Sequence, residues 1–233
     1  MFAVLKRELS AYFSSPIGYI YLAVFYVFSG YFFFGVLYSN TTSLSNVFNG
    51  MFTIIMLLIP ILTMRLMSED LKNKTDQALL TAPINLLSLV MGKFLSALLV
   101  YCLGVAITLV YAVVIAAFAP PDWTVVFGNV LGMLLLGAAL IAIGMFISAL
   151  TENQVIAAVG GFAVGFSLIL VNSLASLITV EWMQKFVSGL SFMERYDEFT
   201  NGILDISNVF FFVSVCAVFV FFTVRVIEKR RWS

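Results

Sequence analysis

From Ser10 to Met64 no residue carries a charge, and the same is true from Phe94 to Pro121. A water-soluble domain, in which roughly a quarter of residues are charged, cannot contain such runs. Over all 233 residues 62% are hydrophobic and 10% are charged. The chain therefore reads as a single integral membrane domain, most of it spanning segment. Between the two runs lies Arg65 to Lys93, with Arg65, Glu69, Asp70, Lys72, Lys74, Asp76 and Lys93. Charge in hydrocarbon is costly, so this polar hairpin belongs in water. It is the expected handle by which something outside the membrane grips the protein.

A spanning helix needs about 20 apolar residues for a core roughly 30 Å thick. Six stretches qualify: 17–38, 47–65, 89–118, 124–150, 155–179 and 207–226. The expected fold class is all-α, a polytopic membrane protein with six transmembrane helices. Pro60 is expected to kink the second span, and Pro120 and Pro121 end the third. Residues 1–15 predict an amphipathic helix lying in the interface. Phe2, Leu5, Leu9 and Tyr12 form its apolar side, and Lys6, Arg7, Glu8 and Ser10 its polar side. Pro16 and Gly18 then turn the chain into the membrane. No signal peptide is expected, because the first apolar run is too long and lacks a cleavage site.

Orientation follows from lysine and arginine. With the N-terminus inside, the cytoplasmic face holds Lys6, Arg7, Arg65, Lys72, Lys74, Lys93, Arg225, Lys229, Arg230 and Arg231, and the outer face only Lys185 and Arg195. Both termini and the loop 66–88 are then cytoplasmic, and 181–206 is extracytoplasmic. Trp123 and Trp182 fall at the outer interface and Trp232 at the inner one, as an aromatic belt requires.

Other features exclude function classes. Net charge is zero, which suggests no nucleic-acid partner. No histidine is present, which removes His-based acid–base catalysis and HExxH zinc sites. Cys102 and Cys216 sit singly in apolar runs and read as small fillers. No ionisable group lies deep in a span, unlike the proton and ion relays of self-sufficient carriers. The energy source is expected to lie outside the membrane.

Tyr12, Tyr19, Tyr26 and Phe33 recur every seven residues and are expected on one face, as neighbour-facing bulk or as a lining for the path. Gly128–Gly132 and Gly161–Gly165 are GxxxG pairs, which let helices approach closely. The segment 181–206 is acidic, with Trp182, Phe186, Leu190 and Met193 at helical spacing. It reads as an interfacial helix or as a contact for substrate or an external subunit.

The segment SEDLKNKTDQALLTAPINLLSLVMGKF resembles the cytoplasmic-loop signature of ABC-2 type transporter permeases. Glu69 and Asp70 stand at that pattern's acidic pair, Thr75 at its threonine, Leu79, Leu80 and Pro83 at its Leu-Leu-x-x-Pro core, and Gly92 and Lys93 at its Gly-Lys. KRELSAYFSSPIGYI is similar to the family's elbow helix. The nearest likeness is to permeases of the gliding-motility and nitrous-oxide-reductase-maturation type. Lys74 departs from the pattern, since many members have glycine there.

The resemblance implies a permease of an exporter in the bacterial cytoplasmic membrane, working as two copies with two separate ABC ATPase subunits. Lipid-like, amphipathic, peptide and polysaccharide substrates all fall within its range. The helix around Thr75–Leu80 would be the coupling helix, with Leu79 and Leu80 as an apolar knob and Glu69, Asp70 and Lys93 nearby. Tyr19, Tyr26, Phe33, Gly161 and Gly165 would line the translocation path or the dimer seam. No cofactor is expected in this chain. The spacing around Gly92-Lys93 fails the P-loop pattern, so ATP and Mg belong to the partner. An extracytoplasmic auxiliary subunit is a further expected contact. The rival readings are a stand-alone channel or carrier and a membrane assembly scaffold.

Overall fold

The computed structural model describes residues 1–74, 85–118, 120–175 and 189–231. Nine helices are present among them. They are α1 (Phe2–Ser14), α2 (Pro16–Tyr38), α3 (Ser45–Thr63), α4 (Ser68–Lys72), α5 (Leu86–Ala116), α6 (Trp123–Leu150), α7 (Gln154–Ala175), α8 (Phe192–Thr200) and α9 (Ile206–Arg231). Six of them, α2, α3, α5, α6, α7 and α9, are long and apolar enough to cross a membrane. In hydrocarbon every backbone polar group must be satisfied within the segment, which leaves the helix as the form open to these runs.

Short polar residues set the starts. The Asn85 side chain accepts from the Leu87 N–H at 3.0 Å, and Asp122 from Thr124 at 3.0 Å. Asn153 accepts from Val155 at 2.9 Å, Ser191 from Glu194 at 3.2 Å and Asp205 from Ser207 at 2.8 Å. Each satisfies an N–H that the first turn leaves without a carbonyl. Pro16 opens α2 at a position where its missing N–H does no harm.

α3 and α6 form the middle of the bundle. α2 and α7 flank α3; α5 and α9 flank α6; α2 also touches α5. Lipid supplies no hydrophobic drive between helices, so close backbone approach and directed hydrogen bonds hold them. The Tyr101 hydroxyl of α5 donates to the Met133 carbonyl of α6 at 2.6 Å. Its ring lies over Gly137, where an added Cβ would meet Cε1 at 2.2 Å. Gly144 seats Thr63 in the same way, with Oγ1 2.2 Å from an added Cβ.

Both GxxxG pairs are used inside the chain. Gly128 and Gly132 receive Leu204 and Phe199. Gly161 and Gly165 are buried against Pro60 and the Met56 carbonyl of α3. That carbonyl is the one Pro60 leaves without its helical N–H partner. Gly161 and Gly165, expected along the translocation path or the dimer seam, thus carry α3 of their own chain against that face.

The aromatic stripe is divided between two helices. Ser15 is extended (φ −103°, ψ 158°) and separates α1 from α2, so Tyr12 is not on the first span. Tyr26 donates its hydroxyl to the Leu103 carbonyl at 2.9 Å, and Phe33 stacks on Tyr111 with centroids 4.3 Å apart. Both lean on α5 of their own chain. Tyr19 remains 59% exposed, edge-on to Phe13. The unpartnered face of α2 is instead Ile20, Val27, Tyr31, Phe34 and Tyr38.

At one end of the bundle lie α1, α4, the start of α5 and the end of α9, with Lys6, Arg7, Arg65, Lys72, Lys74, Lys93, Arg225, Lys229 and Arg230. Arg230 ties α9 to this end through the Ala149 carbonyl at 3.1 Å. The opposite end holds α8 with Glu194, Arg195, Asp197 and Glu198. α8 buries one face against the bundle and leaves Glu194 and Glu198 exposed. Phe192, Tyr196 and Phe199 are buried; of the expected stripe, Met193 packs against the core and Leu190 is exposed. The Tyr196 hydroxyl donates to the Phe48 carbonyl at 3.0 Å. Burial pushes the Asp197 carboxyl up from its ordinary range. Trp182, Lys185, Phe186 and Trp232 lie outside the described residues.

Replacing Gly137 with alanine is expected to lower stability by about 1–3 kcal/mol, because the Tyr101 ring is pinned by its hydrogen bond. Gly35 has nothing within 4 Å of an added Cβ, so Gly35→Ala should be neutral or stabilise by about 0.5–1 kcal/mol. Thermal unfolding of both variants in detergent checks this; equal shifts would contradict it.

Candidate functional site

The site begins at Lys93, seven residues after the start of α5 and 2% exposed. Its ammonium bonds the Asp70 carboxylate at 2.6 Å and Glu8 at 3.0 Å, and donates to the Leu66 carbonyl at 2.6 Å. Arg7 completes the cluster at 2.6 Å from Glu8 and 3.5 Å from Asp70. Two cations and two carboxylates balance, which is what a water-poor site requires of charges it encloses. The Glu8 hydrogen bond, with Asp70 and Glu69 nearby, raises the Arg7 guanidinium above its ordinary value against an opposing effect of burial.

Four pieces of chain meet here: α1 through Arg7 and Glu8, the turn after α3 through Leu66, α4 through Asp70, and α5 through Lys93. Gly92 makes the meeting possible. An added Cβ there would lie 3.0 Å from the Val4 side chain and 3.1 Å from the Met1 carbonyl. The paired glycine and lysine thus do two jobs, one admitting α1 and the next anchoring it. From Phe94 to Ala116 α5 still rises about 34 Å, enough to cross the hydrocarbon. Lys93 therefore sits near the level where α5 leaves the membrane.

A second layer supports the first. Arg65 pairs with Glu69 at 2.9 Å, donates to Ser15 Oγ at 2.7 Å and lies 5.6 Å from the centre of the Tyr12 ring. The Tyr12 hydroxyl donates to the Leu62 carbonyl at 2.8 Å. Burial, with the charge of Glu8, pushes that phenol far above its ordinary range, so it stays a donor. Ser148 of α6 closes the α3–α4 junction. Its hydroxyl accepts from Met67 and Ser68 N–H at 3.1 Å each and donates to the Met64 carbonyl at 2.9 Å.

The expected apolar face of α1 is only partly correct. Phe2 is 77% exposed, whereas Glu8 faces inward beside Tyr12. Amphipathic patterning puts a glutamate outside; the buried lysine on another helix reverses that. Sequence reading also missed Ser148, since a lone serine in an apolar run carries no signal.

Among the coupling residues, Glu69 is half-exposed and paired to Arg65. Asp70 and Lys93 pair with each other within the chain at 2.6 Å, and Lys93 is almost fully buried. Thr75, Asp76, Leu79, Leu80 and Pro83 lie outside the described residues. Lys74 has φ 56°, the left-handed region that glycine favours. The departure from the glycine of the resemblance therefore keeps the turn, with some strain. Among the described residues no group of His, Cys, Asp or Glu could hold a metal ion.

Six spanning helices with an ion cluster at the foot of the bundle define a multi-pass membrane protein whose loop is rooted in its own helices. The family described as ABC-2 family transporter protein matches residues 33–232, and the chain belongs to it. It is a transmembrane permease of an ABC transporter, a transport subunit whose family works with an ABC ATPase. No curated protein matches the chain.

Breaking the cluster is expected to be expensive. Lys93→Met leaves Glu8 and Asp70 without their cation and should destabilise by about 3–5 kcal/mol. Adding Glu8→Gln and Asp70→Asn to it should recover more than half. The readout is thermal unfolding of single and triple variants in one detergent; a triple variant no better than the single would reject charge balance as the reason. Lys74→Gly should stabilise by about 0.5–1 kcal/mol in the same measurement.

Proposed function

We propose that this chain is the membrane subunit of a bacterial exporter, driven by two separate ABC ATPase subunits that grip residues 66–88 from the cytoplasm. The observation that carries this is the fastening of the loop's first turn. Asp70 is held by Lys93 at 2.6 Å, and Lys93 by Glu8 at 3.0 Å. A push on the loop is thereby delivered to α1 and α5 together instead of being absorbed by a slack connection. The Lys/Arg-rich end is cytoplasmic, as the positive-inside rule requires.

Leu79 and Leu80 form the apolar anchor in the ATPase, with Glu69 at its rim. ATP and Mg stay on the partner, and this chain carries no cofactor. A second copy completes the path through the unpartnered faces of α2 and α7, where Ile20, Tyr31, Phe34, Ile156, Val159 and Phe166 are exposed. Tyr19 lies at the foot of α2, close to that seam. The apolar character of these faces favours a lipid-like or amphipathic cargo over a polysaccharide. The end bearing α8 offers the surface for an extracytoplasmic auxiliary subunit.

Leu79→Ala with Leu80→Ala should reduce co-purification of the ATPase strongly, since a buried leucine truncated to alanine costs about 2–5 kcal/mol. Lys72→Ala, an exposed change, should be mild, at about 0–1 kcal/mol. The measurement is ATPase recovered per permease at matched membrane expression, with ATP turnover alongside. Full recovery with the double variant would reject the loop as the coupling element. For orientation, a single cysteine at position 74 should resist a membrane-impermeant reagent in intact cells and label after lysis.

A further inference from the structure

A furrow of about 870 Å³ runs between α5 and α9, floored by Leu135 and Ala138 of α6. That volume lies in the range of roughly 300–1,000 Å³ typical of small-molecule sites. Its walls are apolar for most of their length, and its polar residues, Asn85, Arg225 and Glu228, gather at the basic end. On α5 it reaches from Leu86 to Leu98 and on α9 from Phe212 to Glu228. At ~1.5 Å per residue these stretches rise about 18 and 24 Å. One leaflet with its headgroups is about 20–22 Å deep, half of the full bilayer. The furrow is thus one leaflet deep. A spanning helix of a second copy would need a seat along the whole bundle, yet α5 continues to Ala116 beyond it.

Among the described residues that line it, the mouth carries one charge of each sign. The Arg225 guanidinium lies 2.6 Å from the Glu228 carboxylate and 5.0 Å from the centre of the Phe221 ring. Their side chains are 61% and 41% exposed, so both remain within reach of a ligand. A guanidinium matches a phosphate through its planar donor fork. A carboxylate beside it matches an ammonium that still has protons to donate. An anionic headgroup would meet Glu228 as a repulsion, and a trimethylammonium has no proton to offer it.

We propose that this furrow binds one phospholipid of the leaflet at the basic end, with a phosphoethanolamine headgroup on Arg225 and Glu228 and an acyl chain along α5 and α9. The inference is independent of which partner the loop 66–88 meets. Its physical consequence is a filled wedge between α9 and the helix that Lys93 anchors.

The test is native mass spectrometry of the purified, delipidated protein, given phosphatidylethanolamine, phosphatidylcholine or phosphatidylglycerol with matched chains. One phosphatidylethanolamine per chain should persist, preferred over each of the others by roughly twofold to fivefold, the scale of an exposed ion pair. Glu228→Gln should erase the preference over phosphatidylcholine while binding remains. Arg225→Gln should weaken both. Val213→Trp, at an exposed position on the furrow wall, should expel lipid whatever its headgroup. If that variant does not fold, the two headgroup variants carry the test, since both lie at the surface. Equal retention of the three lipids by the unaltered protein, or full retention by folded Val213→Trp, would overturn the proposal. So would efficient disulfide formation in membranes between the native Cys216 of two copies, because Cys216 lines the furrow.

Discussion

A lysine ammonium shut away from water at the foot of a membrane helix has to be met by carboxylates, and that requirement organises one whole end of this protein. Lys93 draws Glu8 from the N-terminal helix and Asp70 from the short helix after the second span. α4 is only five residues long, and α1 adds Tyr12, Leu9 and Phe13 to the core while leaving Phe2 exposed, so the ion cluster joins two elements of limited apolar contact. An enclosed ion pair adds little net stability over an apolar replacement, but removing one partner is severe. Such a cluster is therefore a device for fixing geometry. Here the geometry is the joint between the N-terminal helix, the third span and the root of the cytoplasmic-loop signature.

Above that joint the bundle is held by a different means. Lipid tails are as apolar as leucine, so helices in a membrane gain by fitting closely. Gly137 under Tyr101, Gly144 under Thr63, and Gly161 and Gly165 against Pro60 and Met56 are the points where backbones come nearest. Tyrosine hydroxyls then reach carbonyls on neighbouring helices, as Tyr101 does to Met133 and Tyr196 to Phe48. The result is a compact pair, α3 and α6, surrounded by α2, α5, α7 and α9, with the outer faces of α2 and α7 left apolar and open.

These two modes of attachment divide the labour of a permease. The tight middle is suited to move as packed bodies, because cores are bistable more than they are deformable. The charged joint fixes the relative positions of the pieces it joins, because each of its charges has more than one neighbour. α5 stands between both. It carries Lys93 at its foot, Tyr101 against α6 and Tyr111 stacked on Phe33 of α2, and it forms one wall of the furrow shared with α9. α5 is thus the helix that links the root of the loop to the packed middle.

Much of this was legible in the residues themselves. Six helices follow from six apolar runs, because hydrocarbon leaves the backbone no other way to satisfy its own N–H and C=O groups. The even partition of the chain and the gathering of Lys and Arg at one end follow from the cost of charge in lipid. Gly92, Lys93 and the acidic pair were also legible as a pattern, but not what they do. Side-chain partners separated by 85 positions, as Glu8 and Lys93 are, or by 148, as Tyr196 and Phe48 are, are set by which helices lie side by side, and no local period records that. For that reason amphipathic patterning puts Glu8 on the wrong face of α1, the pattern is silent on the burial of Lys93 and on the seating of Gly161 and Gly165 against α3, and Ser148 carries no signal. What the sequence by itself determined is which stretches enter the membrane and which end is basic, because transfer from water to lipid acts on each segment alone. Only the tertiary structure decided which charge neutralises which, and which small residue receives which ring, because those depend on the neighbour that packing supplies.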